Sequence, residues 1–427
     1  MSRELAVLLG GAPVGVLSRD ARGRIRFTYD EAWRTGSEGL PLSLSIPLAA
    51  REHGRAVVEP FLWNLLPDSE TVLARWGQQF GVSPRNVFEL LRYVGEDLAG
   101  AVQIVSPEQL GRLTQDTGED QVEWLTEDQV AERLRALRED ASAWRLPRDV
   151  GQFSLAGAQP KTALLEKDGK WGVPQGRTPT THILKPPVGE WVDLAQNEHF
   201  CLRLAARLGL PVAASSVRRF GDEIAFVVER YDRVRQGGRI LRVHQEDLCQ
   251  SLSVHPATKY ENEGGPGIRE VVTLLRSASS SPAEDLHTFL DAVALNWLIG
   301  ATDGHAKNYS VLLGSGGRVR LAPLYDVVSR LAYDPWHPFA FKLAMRVGSE
   351  YVLGRILPGH WLELAQSIAV PAETILSRLR ELATMLPSAA GEIRDALLGS
   401  EGDGPVTHLL ADRIIERGGQ EARLLHQ

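Results

Sequence analysis

The stretch Asn296-Trp-Leu-Ile-Gly-Ala-Thr-Asp303-Gly-His305-Ala-Lys307-Asn308 decides how this 427-residue chain is interpreted. It closes an apolar segment that predicts a helix, and it sets Asp303 five residues before Asn308. A second acid, Asp326, follows the short predicted strand Arg318–Leu321. Carboxylates and an amide oxygen are the groups that orient an attacking hydroxyl and hold Mg2+ against phosphates. The three side chains therefore predict a phosphoryl-transfer site.

The same spacing of aspartate and asparagine occurs in the catalytic loop of protein kinases, where a metal-binding aspartate follows further along the chain. In that arrangement Asp303 orients the substrate hydroxyl or accepts its proton, and Asn308 and Asp326 bind the metal. A helix C-terminal turn between Gly300 and Gly304 is the alternative for Asp303, because aspartate is common in such loops. The presence of Asp326 favours the catalytic interpretation.

His305 and Lys307 lie in the same loop and are candidate phosphate ligands. An imidazole that fixes the loop through a backbone hydrogen bond is an equally good interpretation of His305. Neither residue predicts zinc, because no second pair of ligands has suitable spacing. Magnesium is the one metal that the sequence supports.

Composition and charge restrict the class of protein. Hydrophobic residues make up 43% and charged residues 24%, which is typical of globular proteins. A net charge of −7 argues against a broad basic surface that coats nucleic acid. Two cysteines predict reduced, packed thiols more readily than a disulfide framework. No signal-peptide pattern and no apolar run near ~20 residues is present, so we expect a soluble, cytoplasmic protein with no membrane partner.

The predicted elements divide the chain into four parts. Residues 1–105 form a small α+β module, with strands first and helices after them. Residues 106–148 are polar and charged, and a helix capped near Thr126 makes them a helical connector. Residues 149–242 carry strands and an amphipathic helix, and residues 243–427 are mostly helical. Strands before helices is the order expected of a two-lobed, kinase-like α+β fold.

The bounds of individual elements follow from apolar periodicity and turn residues. Strands are predicted at Leu5–Leu9, Val14–Ser18, Ile25–Thr28, Lys161–Glu166, Lys170–Val173, His182–Lys185 and Glu223–Val228. Helices are predicted at Glu59–Leu66, Ser69–Phe80, Ser83–Tyr93, Val130–Leu137, Leu194–Leu208, Ile268–Arg276, Leu286–Ile299, Trp361–Ile368, Ala372–Met385 and Ala390–Leu398. Ser83 and Asn86 are alternative caps of the third helix, and Lys167-Asp168-Gly169 predicts a hairpin turn.

Lys185 ends the strand His182-Ile-Leu-Lys185, where it would deliver a fixed positive charge into a cleft. Kinases need such a lysine to hold nucleotide phosphates, often steadied by a glutamate on a helix. Glu198, early in the next helix, is the partner we expect. Taken alone, the two residues are equally well explained as a strand-end lysine and a solvated helix residue.

The segment Phe153-Ser154-Leu-Ala156-Gly157-Ala158-Gln159-Pro-Lys161-Thr162 has the small residues, lysine and hydroxyl of a phosphate-binding loop. It does not fit the Walker A pattern, because three residues separate Gly157 from Lys161. Composition alone favours a tight turn before a strand. Further along, Val227–Arg233 is an apolar strand that runs into a polar aromatic turn, where Glu229 and Tyr231 are candidate adenine contacts of a hinge.

Together these segments resemble the HipA family of bacterial serine/threonine kinases, the toxins of type II toxin–antitoxin pairs. The resemblance covers the amino-terminal module to about residue 350 and is carried by several ungapped motifs in the family's order. The motifs are Ser154-Leu-Ala-Gly-Ala-Gln-Pro-Lys-Thr-Ala, His182-Ile-Leu-Lys-Pro, Asn197-Glu198, Glu229-Arg-Tyr-Asp-Arg, Gln245-Glu-Asp-Leu-Cys-Gln, Thr302-Asp-Gly-His-Ala-Lys-Asn and Leu324-Tyr-Asp326.

The resemblance implies roles for these residues. It makes Lys185 the nucleotide-phosphate lysine, Asp303 the catalytic acid, and Asn308 with Asp326 the ligands of Mg2+. It assigns the loop Ala156–Thr162 as the phosphate loop, whereas composition alone favours a tight turn before a strand. Ser154 becomes a regulatory autophosphorylation site whose modification expels that loop. Gln245 matches an active-site position, and Pro160 departs from the family, in which an acidic residue is common.

The resemblance also implies a function: an ATP- and Mg2+-dependent serine/threonine protein kinase that phosphorylates a translation factor such as an aminoacyl-tRNA synthetase. The implied partner is a helix-turn-helix antitoxin of the HipB type, and operator DNA is reached mainly through that partner. One alternative is a small-molecule phosphotransferase of the antibiotic-modifying kind, which shares the catalytic geometry. Another is a catalytically silent component of a repressor complex.

Overall fold

The computed structural model describes residues 3–37, 39–114, 122–144, 153–189, 191–333 and 337–426, which form a mixed α+β structure with several separate sheets. Hydrophobic side chains gather in two large cores, one mainly in the first hundred residues and one from Ala195 onward. Cys201 and Cys249 are both buried and unpaired. In the part of the chain that is described, no helix is long and apolar enough to cross a bilayer.

The amino-terminal module is an antiparallel five-stranded sheet covered by helices. The strands are β1 (Glu4–Leu9), β2 (Ala12–Arg19), β3 (Ile25–Tyr29), β4 (Glu52–His53) and β5 (Val102–Val105), in the spatial order β4-β3-β2-β1-β5. The helices are α1 (Glu31–Thr35), α2 (Arg55–Trp63), α3 (Glu70–Phe80) and α4 (Val87–Val94). The three predicted strands are confirmed, and Asn86 caps α4 instead of Ser83.

The predicted connector contains helix α5 (Pro107–Thr114), strand β6 (Val122–Leu125) and helix α6 (Glu127–Glu139). Thr126 forms the capping box of α6 with Gln129, as its sequence predicts. The predicted helical connector also contains a strand, since β6 pairs antiparallel with residues 171–174. The strand lies at the edge of a sheet, where one side faces solvent, so it lacks the apolar run that marks an inner strand.

A six-stranded sheet, in the order β10-β11-β9-β7-β8-β6, follows the connector. Its other strands are β7 (Thr162–Lys167), β8 (Lys170–Pro174), β9 (His182–Lys185), β10 (Ser215–Phe220) and β11 (Glu223–Glu229), and helix α7 (Leu194–Arg207) packs on it. Asp168 and Gly169 both have positive φ, of 53° and 76°, which suits a two-residue hairpin turn. The predicted strands and hairpin here are confirmed.

The carboxy-terminal part is built from helices α8 (Leu248–Ser251), α9 (Ile268–Ala278), α10 (Pro282–Leu298), α11 (Pro358–Ser367), α12 (Ala372–Leu397) and α13 (Pro405–Leu425). Small antiparallel sheets accompany them: β12 (Arg233–Gln236) with β13 (Arg239–Arg242), β14 (His244–Asp247) with β15 (Ser310–Gly314) and β16 (Arg318–Leu321), and β17 (Lys342–Val347) with β18 (Glu350–Val352). Strand β15 follows directly on the Asp303 loop and pairs with both β14 and β16.

Two predictions for the last helices are wrong. Ala372–Met385 and Ala390–Leu398 are parts of one helix, α12, which continues through Pro387. The continuous helix buries an unbroken apolar stripe, and α13, which we did not predict, packs against it. Gly418 of α13 lies so close that a methyl group there would be 3.3 Å from the Pro387 ring. Tertiary packing thus offsets the hydrogen bond that the proline removes.

Candidate active site

Lys185 brings two separate elements of the fold together with one ammonium group. It ends β9, and its Nζ donates to both carboxylate oxygens of Glu198 on α7, at 2.8 and 3.1 Å. The same Nζ donates to Asp326 Oδ1 at 2.8 Å. Lys185 and Glu198 are buried, whereas about a third of the Asp326 side chain, 32%, is exposed. The expected partnership of Lys185 with Glu198 is therefore observed, and Asp326 joins it.

The charges of Lys185 and Asp326 stabilise each other. Burial disfavours the ammonium, but the Asp326 and Glu198 carboxylates outweigh it and hold the pKa of Lys185 above its ordinary value. Burial likewise disfavours the Asp326 carboxylate, yet Lys185 and Lys161 lower the pKa of Asp326 below its usual range. Asp326 also adopts a left-handed backbone conformation with φ of 57°, a strain of the kind found at functional sites.

Asp303, Asn308 and Asp326 line a single cavity, together with Tyr309 and Tyr325. The Nδ2 of Asn308 donates to the backbone carbonyl of Asp303 at 2.8 Å, which closes the loop between them. That bond uses the amide nitrogen of Asn308 and leaves its oxygen as the atom suited to a metal. The Asp303 side chain is 64% exposed, so it is open to an approaching hydroxyl.

His305 and Lys307 are both buried, and neither faces the solvent-exposed side of the loop. The His305 ring packs edge-on against Tyr260, its Nε2 lies 4.0 Å from Asp303 Oδ1, and burial lowers the pKa of His305. The Nζ of Lys307 donates to Asn64 Oδ1 at 2.7 Å and to Asp247 Oδ2 at 2.9 Å. This geometry gives Lys307 a role in holding the loop and does not favour its predicted phosphate contact.

The Ser154–Thr162 loop is folded inward. The Ser154 side chain is fully buried, and its hydroxyl donates to the carbonyl of Leu65 at 2.8 Å. Lys161 Nζ donates to the carbonyl of Ala156 at 2.6 Å, and burial together with the charge of Lys185 lowers the pKa of Lys161 to about 8. Gly157 has φ of +100°, which side chains rarely adopt.

The remaining loop residues lie around this turn: Ala158 is exposed, Gln159 is half-buried, and Thr162 is the buried first residue of β7. The loop is a tight turn before a strand, as composition predicts. Its lysine also lies near the Lys185–Asp326 pair, as a phosphate loop requires. The two interpretations are compatible.

The predicted hinge and Gln245 meet beside the cavity. Glu229 is the exposed last residue of β11. The Tyr231 hydroxyl donates to Gln245 Oε1 at 2.7 Å, and the Tyr231 ring lies 5.7 Å from that of Tyr325. Tyr325 lines the cavity, so Tyr231 lies behind one of the lining rings and Gln245 is bonded to Tyr231.

Sequence reasoning missed a buried charge cluster beneath this hinge. Asp97, from the amino-terminal module, pairs with Arg233 at 2.9 Å and with Arg230 at 3.4 Å, and Asp232 pairs with Arg230 at 2.9 Å. All four side chains are less than a tenth exposed. Three of these residues lie in the densely charged run Glu229–Arg233, which is the sequence signal that would have identified them. No local sequence pattern indicates Asp97.

Sequence profiles of two domains match this chain: the HipA N-terminal domain over residues 5–105 and the HipA-like C-terminal domain over residues 153–390. The protein Y4mE of Sinorhizobium fredii is 38% identical, with 92% of each chain covered. The serine/threonine-protein kinase toxin HipA of Shewanella oneidensis is 32% identical over 91% of this chain and 89% of its own.

A solved structure is similar over nearly the whole chain. It is the complex of HipA, HipB and operator DNA from Shewanella oneidensis MR-1, in which the matching chain has a TM-score of 0.85 and 28% sequence identity. The match covers 99% of this chain and 98% of that one. It confirms the predicted two-lobed α+β fold.

Proposed function

The chain belongs to the HipA family of serine/threonine-protein kinases, and from this premise we propose that it transfers the γ-phosphoryl group of ATP, with Mg2+, to a serine of a translation factor. The observation that carries the proposal is the single cavity lined by Asp303, Asn308 and Asp326. Lys185 is bonded to Asp326 at its edge. A base, two oxygen ligands and a phosphate-binding cation are the parts that phosphoryl transfer needs.

The two proposed ligands fit Mg2+. The cation prefers oxygen donors and commonly takes only one or two from the protein, with water and phosphates completing the shell. Asn308 offers an amide oxygen and Asp326 a carboxylate whose low pKa keeps it ionised. When bound there, Mg2+ would neutralise charge on the phosphates.

Side chains of the protein bind the phosphates and accept the proton of the substrate. Lys185 binds phosphate oxygens through an ammonium that Glu198 holds in place. Asp303 accepts the proton of the substrate hydroxyl as its oxygen bonds to the γ-phosphorus and the bond from that phosphorus to the bridging oxygen breaks, which releases ADP. Tyr260 already donates to Oδ1 of this carboxylate at 2.7 Å, so the other oxygen is the acceptor for the substrate.

Family membership supports an aminoacyl-tRNA synthetase as the candidate substrate. The test is incubation of the purified protein with γ-labelled ATP, Mg2+ and bacterial lysate, followed by identification of the labelled serine by mass spectrometry. We expect labelling of a translation factor that disappears with Asp303→Ala. Labelling that survives this substitution would remove Asp303 from the mechanism, and label found only on small molecules would support the antibiotic-type phosphotransferase.

We also propose that Ser154 is an autophosphorylation site that switches the kinase off. Its hydroxyl is buried against Leu65 with no room for a phosphate, so modification requires the loop to leave its position. Pro160, which is also buried, stiffens the turn and so changes how easily the loop leaves this position. Mass spectrometry should find phosphate on Ser154 after incubation with ATP, and Ser154→Asp should lower ATP affinity while Ser154→Ala preserves it. Equal affinities would contradict the switch.

A HipB-type helix-turn-helix antitoxin is the proposed partner, because the similar solved structure is a complex of HipA, HipB and operator DNA. The net charge of −7 supports DNA contact mainly through that partner. Gel-shift assays with operator DNA should show no binding by the chain alone and a larger complex when the antitoxin is added. Tight binding by the chain alone would overturn the indirect arrangement.

A further inference from the structure

We propose that Asp68, in the amino-terminal module, is a positioning residue for the phosphoryl-transfer site. It acts on the Asp303 loop through its carboxylate and on the phosphate loop through its backbone. The inference rests on the proposed function, since it assigns to Asp68 the placement of groups that this function uses. The amino-terminal module then contributes to catalysis by positioning residues of the site, although it supplies none of the proposed catalytic groups.

The carboxylate of Asp68 lies between two lysines from the carboxy-terminal part. Its Oδ2 accepts from Lys259 Nζ at 2.8 Å, and its Oδ1 lies 3.8 Å from Lys307 Nζ. The Asp68 side chain is only 9% exposed and that of Lys307 only 3%. Burial disfavours the carboxylate, but Lys307 and Lys259 outweigh it and lower the pKa of Asp68. Its negative charge is therefore retained at neutral pH.

Both lysines lie close to Asp303 along the chain or through one hydrogen bond. Lys307 lies inside the loop, and besides Asp68 it contacts Asn64 of the same module and Asp247. Lys259 precedes Tyr260, whose hydroxyl donates to Asp303 Oδ1 at 2.7 Å. The carboxylate thus fixes one lysine within the Asp303 loop and a second beside the hydroxyl that orients the Asp303 side chain.

The backbone around Asp68 holds the phosphate loop in its inward position. The N–H of Asp68 donates to the carbonyl of Gly157 at 3.1 Å, and the adjacent Pro67 pairs with Gly157 as an isolated bridge. Three residues earlier, the carbonyl of Leu65 accepts the Ser154 hydroxyl. Residues 64–68, which we call the bridging segment, therefore contact both loops of the proposed site.

The first test replaces the Asp68 carboxylate by an amide of the same shape. Asp68→Asn keeps the backbone N–H that binds Gly157 and removes the charge that binds the two lysines. We expect kcat to fall by about tenfold or more, because a small misplacement of catalytic groups has such effects. The KM for ATP should change by less than about twofold if the phosphate loop stays in place. The matched control is Asp20→Asn, which removes an exposed ion pair with Arg24 in the same module and should leave both constants unchanged.

A second readout does not depend on activity. Hydrogen exchange of the backbone amides at residues 301–309 should accelerate in Asp68→Asn and stay unchanged in Asp20→Asn, with the rest of the carboxy-terminal core protected in both. Unchanged exchange in this loop would overturn the inference even if the wild-type protein transfers phosphate. If the wild-type protein transfers none, the proposed function fails, and the exchange measurement still decides whether Asp68 positions the loop.

Tyr260→Phe provides a variant that removes one hydroxyl and leaves the core intact. It should lower kcat without raising the KM for ATP. In the double variant Asp68→Asn/Tyr260→Phe, kcat should fall by less than the product of the two single reductions. Both changes act on the position of the same group, the Asp303 carboxylate. Independent, multiplying losses would contradict a shared path to Asp303.

Discussion

The site depends on a single ammonium group, Lys185, which is shared by two carboxylates from different elements. With its side chain 7% exposed, it has lost most of its hydration, and the charges of Glu198 and Asp326 replace it. Removing the ammonium would leave Glu198, which is 1% exposed, without its partner. Burial already raises the pKa of Glu198 to about 7, so this carboxylate would take up a proton.

Lys185→Met should therefore destabilise the fold as well as abolish nucleotide binding. Breaking a buried ion pair typically costs about 3 kcal/mol of unfolding free energy. Adding Glu198→Gln should recover part of that loss, since it removes the unpaired carboxylate, while ATP binding stays lost. Urea unfolding and calorimetric titration with ATP measure the two effects. A single variant as stable as the wild type would show that the pair contributes nothing to the fold.

At the residue scale, the candidate groups could be predicted because their spacing is local. Asp303 and Asn308 share one loop, and Lys185 ends a short strand that Pro186-Pro187 stops. Lys307 shows the limit: its loop position suggested a phosphate contact, but its ammonium is bonded to Asn64, 243 residues away in sequence. Tyr260 was missed for the same reason, because no local pattern indicates a bond to Asp303.

Among the elements, the proposed phosphate loop has a backbone conformation that favours glycine. At Gly157, φ is +100°, and a methyl group there would lie 2.6 Å from Lys161 Nζ. The loop is fixed further by Asp68 and Leu65 of the bridging segment. The inward position of the loop is therefore set by one backbone conformation and a few hydrogen bonds. Because these contacts are few, the loop can leave this position and return to it.

Gly157→Ala should weaken ATP binding by about tenfold, because the strained backbone costs on the order of 1–2 kcal/mol. The matched control is Gly359→Ala, at a position in α11 where a methyl group meets no atom within 4 Å. Calorimetric titration with Mg2+ and ATP compares them, and equal affinities in the two variants would mean that the loop does not need this conformation.

Element prediction succeeded where periodicity was clear and failed where packing decided. The hairpin β7–β8 and strand β9 follow their sequence signals. Strand β6 was not predicted because an edge strand can be polar. Helix α12 continues through Pro387 because α13 packs along it. Neither cause can be detected within a local window of sequence.

At the scale of the whole molecule, buried polar groups join the amino-terminal module to the kinase core. Asp97 pairs with Arg230 and Arg233, and His244 Nε2 lies 3.0 Å from the carbonyl of Leu42. Burial lowers the pKa of His244 to about 4, so the ring is neutral in the folded protein. These contacts make the junction sensitive to protonation.

The pKa of His244 predicts the direction of that sensitivity. The folded value lies below the ordinary value of 6.5, so the unfolded chain binds more protons and stability is lost as pH falls from about 6.5 towards 4. Burial raises the pKa of both Glu198 and Glu246 to about 7, which acts in the opposite sense. Comparison with His244→Gln isolates the histidine.

Urea unfolding at pH 7 and pH 5 should show the wild-type protein losing stability relative to His244→Gln as the pH falls. The glutamine side chain can still donate to Leu42, but it does not titrate. A stability difference that is constant between the two pH values would contradict a neutral, buried His244.

The most direct test of the account is the rate at which the purified protein transfers the γ-phosphoryl group of ATP in the presence of Mg2+, compared between the wild type and Asp303→Asn. The amide keeps the shape of the side chain and its contact with Tyr260 but cannot accept a proton. We predict a rate lower by at least about a hundredfold, with ATP affinity preserved. Transfer by Asp303→Asn at the wild-type rate would contradict the assignment of this cavity as the site of phosphoryl transfer.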